Sequence, residues 1–232
     1  MLKLVILFIF WLPFAAFAQS DLEKAKALFH QEKYEQASVL FEKLDRENPD
    51  DVLINEYLGD CAGHQQHWDK ALQYYKKLKA LQPKSATYQY KYGGALGMKA
   101  KGSNAFKAVG MIDGIRTSFE NAIRLQPNHI EARWALLTLY LELPGIIGGS
   151  EAKAKQYAGQ LLVLSPVDGY LAQGRIDEYF KRYAAAEENY KKAIAVGGSK
   201  VTYQILAELY SKKMKLPEKA KAVMTRYQNT KE

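Results

Sequence analysis

The sequence predicts an all-α chain built by repeating a pair of helices, and three observations carry that prediction. Tyr34-Glu35-Gln36-Ala37, Phe41, Leu44 and Pro49 recur as Trp68-Asp69-Lys70-Ala71, Tyr75, Leu78 and Pro83, every matched pair 34 residues apart. A second column, Ala25, Gly59, Gly93, Leu137, Gly174 and Glu208, stands upstream of the first, normally by 12 residues. Proline or glycine closes most units, as Pro49, Pro83, Pro127, Pro166 and Gly198. Two helices per unit follow, because small residues recur where helices approach closely and proline ends the second helix. A fixed period of this length marks a stacked array in which no unit buries its apolar face alone.

Residues 1–18 read as a secretory leader. They carry Lys3, an apolar run through Phe17 and the ending Ala16-Phe17-Ala18, with removal expected after Ala18. The run is short for a membrane span and contains Pro13, and no other stretch is apolar enough to cross a bilayer. Export to the periplasm of a Gram-negative bacterium, or secretion, is expected. Cys61 is the sole cysteine, so no internal disulfide forms and packing must supply the stability.

Residues 19–232 then divide into units near 19–51, 52–85, 86–129, 130–166, 167–200 and 201–232. The ladder continues through Ile115 and Phe119, Ala154 and Ala158, Ala186 and Tyr190, and Ala220 and Met224. From Ala71 to Ile115 the step grows to 44, and from Ile115 to Ala154 to 39, so the third and fourth units carry ten- and five-residue insertions between their two helices. In the third, Ala105, Ala108, Val109, Ile112 and Ile115 keep helical spacing, which predicts a second helix begun early behind Ser103 or Asn104 as N-cap. In the fourth, Pro144 stops the first helix, Gly148-Gly149 frees the chain, and Ser150 caps the second helix with Glu151 in its first turn. Ile146 and Ile147 in that loop have two readings: they seal apolar surface on the overlong helix of the third unit, or they contact a partner at the loop edge.

Tyr57-Leu58-Gly59 with Ala71, Tyr75 and Pro83 resemble the signature of the tetratricopeptide repeat, and nearly all of 19–232 follows it, with Ala158 and Met224 replacing the aromatic residue in two units. The resemblance implies a right-handed α-solenoid of about six antiparallel helix pairs, forming one elongated domain. It also implies a concave groove, lined by the first helices, that holds a peptide or partner helix. Carried onto this chain, the groove residues are Glu56, Asp60 and His64, then Tyr90, Gly94 and Met98, then Trp134, Thr138 and Glu142, then Leu171, Arg175 and Tyr179. Tyr90, Trp134 and Tyr179 are the expected anchors, since amphipathic aromatics contribute most at recognition surfaces. Family members that clamp a terminal carboxylate use lysine and asparagine. Leu22 and Lys26 stand at the corresponding first-unit positions, and the asparagine is missing.

Catalytic chemistry finds little support. Gly145 to Ser150 lacks the lysine and preceding strand of a phosphate loop, and Gly197-Gly198 reads as a helix end. Cys61, His64 and His67 form the densest group of metal-ligand types, short of a closed zinc set, and four histidines offer few general bases. No metal or cofactor is expected, and a metal-dependent hydrolase is the weakest reading. Charge is uneven: Gln19–Asp51 holds nine acidic and five basic residues, whereas Lys200–Glu232 holds eight basic and three acidic. Export argues against nucleic acid as a partner despite the formal net charge of +8. The expected function is a non-enzymatic protein-interaction scaffold or assembly factor of the cell envelope, with a protein or peptide partner. The alternative is attachment to an acidic membrane or glycan surface through Lys99, Lys101, Lys107 and the basic terminal unit. Mass spectrometry of the protein recovered from an exporting host is expected to give a chain beginning at Gln19, and retention of Met1 would contradict the leader.

Overall fold

The computed structural model describes residues 12–230, with side chains from Asp21 onward. Of the expected leader, residues 1–11 lie outside the described residues and 12–18 are described as backbone only. Among the described residues there is no strand, and no helix is long and apolar enough to cross a membrane. The chain divides into two compact units, one ending at Leu125 and the other beginning at Gln126.

The first unit contains α1 (Leu12–His30), α2 (Tyr34–Glu47), α3 (Val52–His64), α4 (Trp68–Leu81), α5 (Ala86–Lys101), the short α6 (Ala105–Val109) and α7 (Ile112–Leu125). Each helix packs on the next in sequence, except that α5 passes over α6 to pack chiefly on α7. In the second unit, α8 (Ile130–Glu142), a 3-10 turn (Gly145–Ile147), α9 (Glu151–Leu164), α10 (Pro166–Tyr179), α11 (Tyr183–Gly197), α12 (Lys200–Glu208), a π turn (Leu209–Lys213) and α13 (Pro217–Asn229) follow the same rule.

Local chemistry repeats with the period. The first helix of each pair from the second repeat on is capped by a side chain at one repeat position: Asp51, Ser85, His129, Ser165 and Ser199 accept from the backbone N–H three residues on. That satisfies a donor the helix would otherwise leave open. Between the helices of four pairs, Glu32, Gln66, Lys181 and Lys215 hold φ near +60°, again at one repeat position. The backbone N–H groups of Lys33, His67 and Arg182 then return to carbonyls five residues back, at 2.8–2.9 Å, and close the preceding helix. The two connections with insertions are the ones built differently.

The structure corrects three expectations, two of them in these connections. The third repeat does not begin its second helix early: α6 is a separate turn capped by Asn104, ended at Gly110, with no buried residue and with Phe106 90% exposed. Ile146 does not seal a helix, because it is 96% exposed, while Ile147 is half-buried. The loop instead closes on its own backbone. Gly149 N–H donates to Pro144 O at 3.0 Å and Ser150 N–H to Tyr140 O at 2.9 Å, Gly148 sits at φ +107°, and a Cβ on Gly149 would lie 1.8 Å from Leu143 O. Pro166 does not end a helix but starts one: Ser165 ends α9 and caps α10, leaving proline where its missing N–H costs nothing.

In the second, third and fifth repeats the two sequence columns meet. A Cβ on Gly59 would lie 2.6 Å from the ring of Tyr75, one on Gly93 2.9 Å from Ser118 and 3.0 Å from Phe119, and one on Gly174 2.3 Å from the ring of Tyr190. Ala71 and Ala186, one turn before Tyr75 and Tyr190, have no exposure, and neither do Ala37 and Ala154 at the same repeat position. In the fourth repeat the sizes are exchanged. Leu137 takes the glycine's place and Ala158 the aromatic's, and both are buried. The array therefore fixes the summed volume at this contact rather than the residue types. Gly174→Leu is expected to destabilise by about 1–3 kcal/mol through overpacking and Tyr190→Ala by about 3–5 kcal/mol. The double variant, which copies the fourth repeat, should lose at least about 1 kcal/mol less than the sum in denaturant unfolding. Additive losses would show that the two positions do not share one space.

Candidate functional site

In the first unit the predicted groove residues are largely engaged with one another. Lys91 Nζ donates to Glu56 Oε1 at 2.6 Å and to both Asp60 oxygens at 2.7 Å; Tyr88 donates its hydroxyl to Glu56 and Tyr75 its own to Asp60. Burial and the Asp60 carboxylate push the Tyr75 phenol far above its ordinary range, so it stays a donor. These bonds tie α3 to α5 across the repeat boundary. His64 stacks on Tyr34 with ring centroids 4.0 Å apart and meets Phe29 edge-on, joining the first repeat to the second. Tyr90 is half-buried against Phe119 at 5.7 Å, and Met98 is 45% exposed.

The metal-ligand types near His64 diverge in role. Cys61 is fully buried and its thiol is pushed up to about 12, first by burial and then by Asp60. Among the described residues no group of three or more His, Cys, Asp or Glu is arranged to hold a metal ion. Of the basic patch, Lys99 pairs with Asp69 and Lys107 is exposed.

In the second unit a cavity of about 440 Å³ opens on the first-helix face. Trp134 and Thr138 of α8, Leu171 and Arg175 of α10, and Ile205 of α12 line it, with Glu178, Tyr190, Glu208, Lys212 and Lys213. Trp134 is held in place because its indole N–H donates to Asp168 Oδ1 at 2.8 Å, and the other Asp168 oxygen accepts from Ser165 Oγ at 2.6 Å. Tyr190 donates its hydroxyl to Glu178 at 2.8 Å; burial and that carboxylate raise its phenol, which fixes the proton. A larger hollow of about 570 Å³ lies along α13, but Lys221, Thr225, Arg226 and Asn229 line it from that one helix. Walled from one side only, it would cover little of a ligand's surface, so burial there gains little.

Of the predicted second-unit residues, Trp134, Thr138, Leu171 and Arg175 thus come together in one cavity. Glu142 is exposed on α8, and Tyr179 lies outside the cavity lining, its ring edge-on to Phe180 at 5.2 Å. The sixth repeat's contribution was missed by sequence reasoning although it was signalled: Ile205 stands 34 residues after Leu171. Lys212 and Lys213 carried no signal, because the π turn that presents them shifts the register of the last first-helix.

Paired helices stacked in sequence, with a partly apolar cavity on the first-helix face of the second unit, define an α-helical repeat fold. Residues 22–86 match the tetratricopeptide repeat family, and the fold of the described residues is shared with solved members of that family. A thermophilic tetratricopeptide protein of Thermus thermophilus is 18% identical with a TM-score of 0.61, over 90% of this chain and 99% of that one. A tetratricopeptide protein of Parabacteroides merdae is 16% identical with a TM-score of 0.62, over 91% and 79%. YrrB, described as a tetratricopeptide protein with an unusual peptide-binding site, is 15% identical with a TM-score of 0.53, over 78% and 87%. No curated relative matches the sequence.

The Lys91 network yields a direct expectation. Its members are neither fully buried nor open, at 22–29% side-chain exposure. Lys91→Met should therefore cost between about 1 and 3 kcal/mol in denaturant unfolding, between the limits for surface and buried pairs. A loss below about 0.5 kcal/mol would show that Glu56 and Asp60 do not depend on it.

Proposed function

We propose that this protein is a non-enzymatic scaffold of the bacterial cell envelope that holds an extended segment of another protein in the first-helix cavity of residues 126–230. The cavity carries the reading. It joins an apolar wall of Trp134, Leu171 and Ile205 to a polar rim of Thr138, Arg175 and Lys213, the combination that rewards both burial and orientation. The described peptide-binding site of the fold neighbour YrrB supports the same use of the architecture, and the leader-like residues 1–18 support export to the periplasm. Ile146 and Ile147 extend the reading to the loop edge, since an exposed isoleucine on a closed, self-bonded loop is a ready contact for a partner. The groove face of the first unit has a supporting role, with its Glu56, Asp60 and Lys91 charges spent on one another. Among the described residues, attachment to an acidic surface has no comparable built site.

A photo-crosslinking amino acid at Thr138 or Leu171, in cells that make the protein, is expected to capture a defined protein adduct. The same group at Lys192, on the second helix of its pair, should not. Equal capture at the three positions, or capture at Lys192 alone, would overturn the cavity as the site.

A further inference from the structure

We infer that the segment this cavity accepts is acidic: an extended stretch in which aspartate or glutamate side chains alternate with aliphatic ones. The inference rests on the partner-binding reading above and specifies its chemistry. The cavity's charges are unequal in their availability. Glu178 is 14% exposed and already accepts the Tyr190 hydroxyl, whereas Arg175 is 51% exposed, Lys213 48% and Lys212 66%. The nearest approaches to Glu178 are 3.9 Å from Arg175 and 3.8 Å from Lys213, beyond hydrogen-bond reach. Among the described residues neither cation donates a hydrogen bond, so both keep their donors for a ligand. Lys212 does bond Glu208, at 2.9 Å, but that pair is exposed and exchangeable. An incoming segment therefore meets three cations at the opening against one exposed carboxylate, Glu208, which Lys212 already pairs, while Glu178 is only 14% exposed.

The apolar wall sets the rest of the ligand. Trp134, Leu171 and Ile205 come from three successive first helices. Packed helices lie about 8–10 Å apart, so the wall runs on the order of 20 Å, the reach of roughly six extended residues. A segment of that length crosses the wall and continues past it, with alternate side chains facing opposite sides. This favours side-chain carboxylates over a chain terminus as the anionic groups. Arg175 offers a planar fork suited to a carboxylate, and the two lysines of the π turn add point charges on the same rim.

Fluorescence anisotropy with two labelled, C-terminally amidated probes tests this: Gly-Asp-Leu-Asp-Ile-Asp-Leu-Asp-Gly and the same peptide with lysine for every aspartate. The acidic probe should bind the full-length protein and the basic probe at least about tenfold more weakly. Arg175→Gln with Lys213→Gln should weaken the acidic probe about tenfold or more, and about 0.5 M salt should do the same. Both positions are half-exposed, and an unchanged thermal midpoint in the double variant would confirm that it folds. Equal binding of the two probes, binding of neither, or acidic-probe binding that survives the double variant would each overturn the acidic chemistry. Binding only when the probe's C-terminus is a free acid would overturn the side-chain assignment. If Leu171 still crosslinks a partner in those cases, the cavity reading stands without its acidic ligand; if it does not, both fall.

Discussion

The contact between a residue without a side chain on one helix and an aromatic ring on its partner governs the rest of this structure. At Gly59 with Tyr75, Gly93 with Phe119 and Gly174 with Tyr190, the ring occupies the space a Cβ would need. The two axes can then approach closely, and the ring removes apolar area from water at about 25 cal/mol per Å². Because the contact recurs at one repeat position, it also sets the rotation of each first helix about its own axis. Residues three positions upstream and one downstream of the glycine column, such as Leu171 and Arg175, are thereby turned to a common face. The stability device and the cavity face are two consequences of one register.

Within that register the two compact units use the first-helix face differently. In the first, Lys91 pairs with both Glu56 and Asp60 and two tyrosine hydroxyls complete the network, so the face works as a polar seam between repeats. In the second, Glu178 lies deep in the face, held by Tyr190, and the cations beside it have no hydrogen-bonded acceptor among the described residues. An apolar wall with uncommitted donors along its rim is a surface that gains from being covered. Tyr190 links the two roles: its ring fills the Gly174 space and its hydroxyl reaches into the cavity.

The architecture was legible because it is written in residues whose role is local and periodic. Gly59, Gly174, Tyr75 and Tyr190 announce a close helix pair wherever they fall, and Ser150 announces the helix that starts at Glu151. Trp134, Thr138, Leu171 and Arg175 were legible as a set because the period carries a face along with a fold. The failures share a different cause. Whether the segment after Asn104 would extend a helix or stand as a separate turn depended on its burial, and nothing in the spacing of Ala105, Ala108 and Val109 encodes that none of them would be covered. The exposure of Ile146 follows from backbone bonds that close its loop, and the arrival of Lys212 and Lys213 follows from a π turn. A change of hydrogen-bond register leaves no mark on side-chain periodicity.

The most direct measurement is methyl NMR of the full chain, labelled at leucine, isoleucine and valine, titrated with the protein captured through position 171. Val163 and Val196 provide the internal comparison, since they are 85% and 52% exposed on second helices and are open to any non-specific apolar association. The predicted result is a saturable shift of the Leu171 and Ile205 methyls with Val163 and Val196 unmoved. Shifts at Val163 and Val196 while Leu171 and Ile205 stay in place would contradict the account.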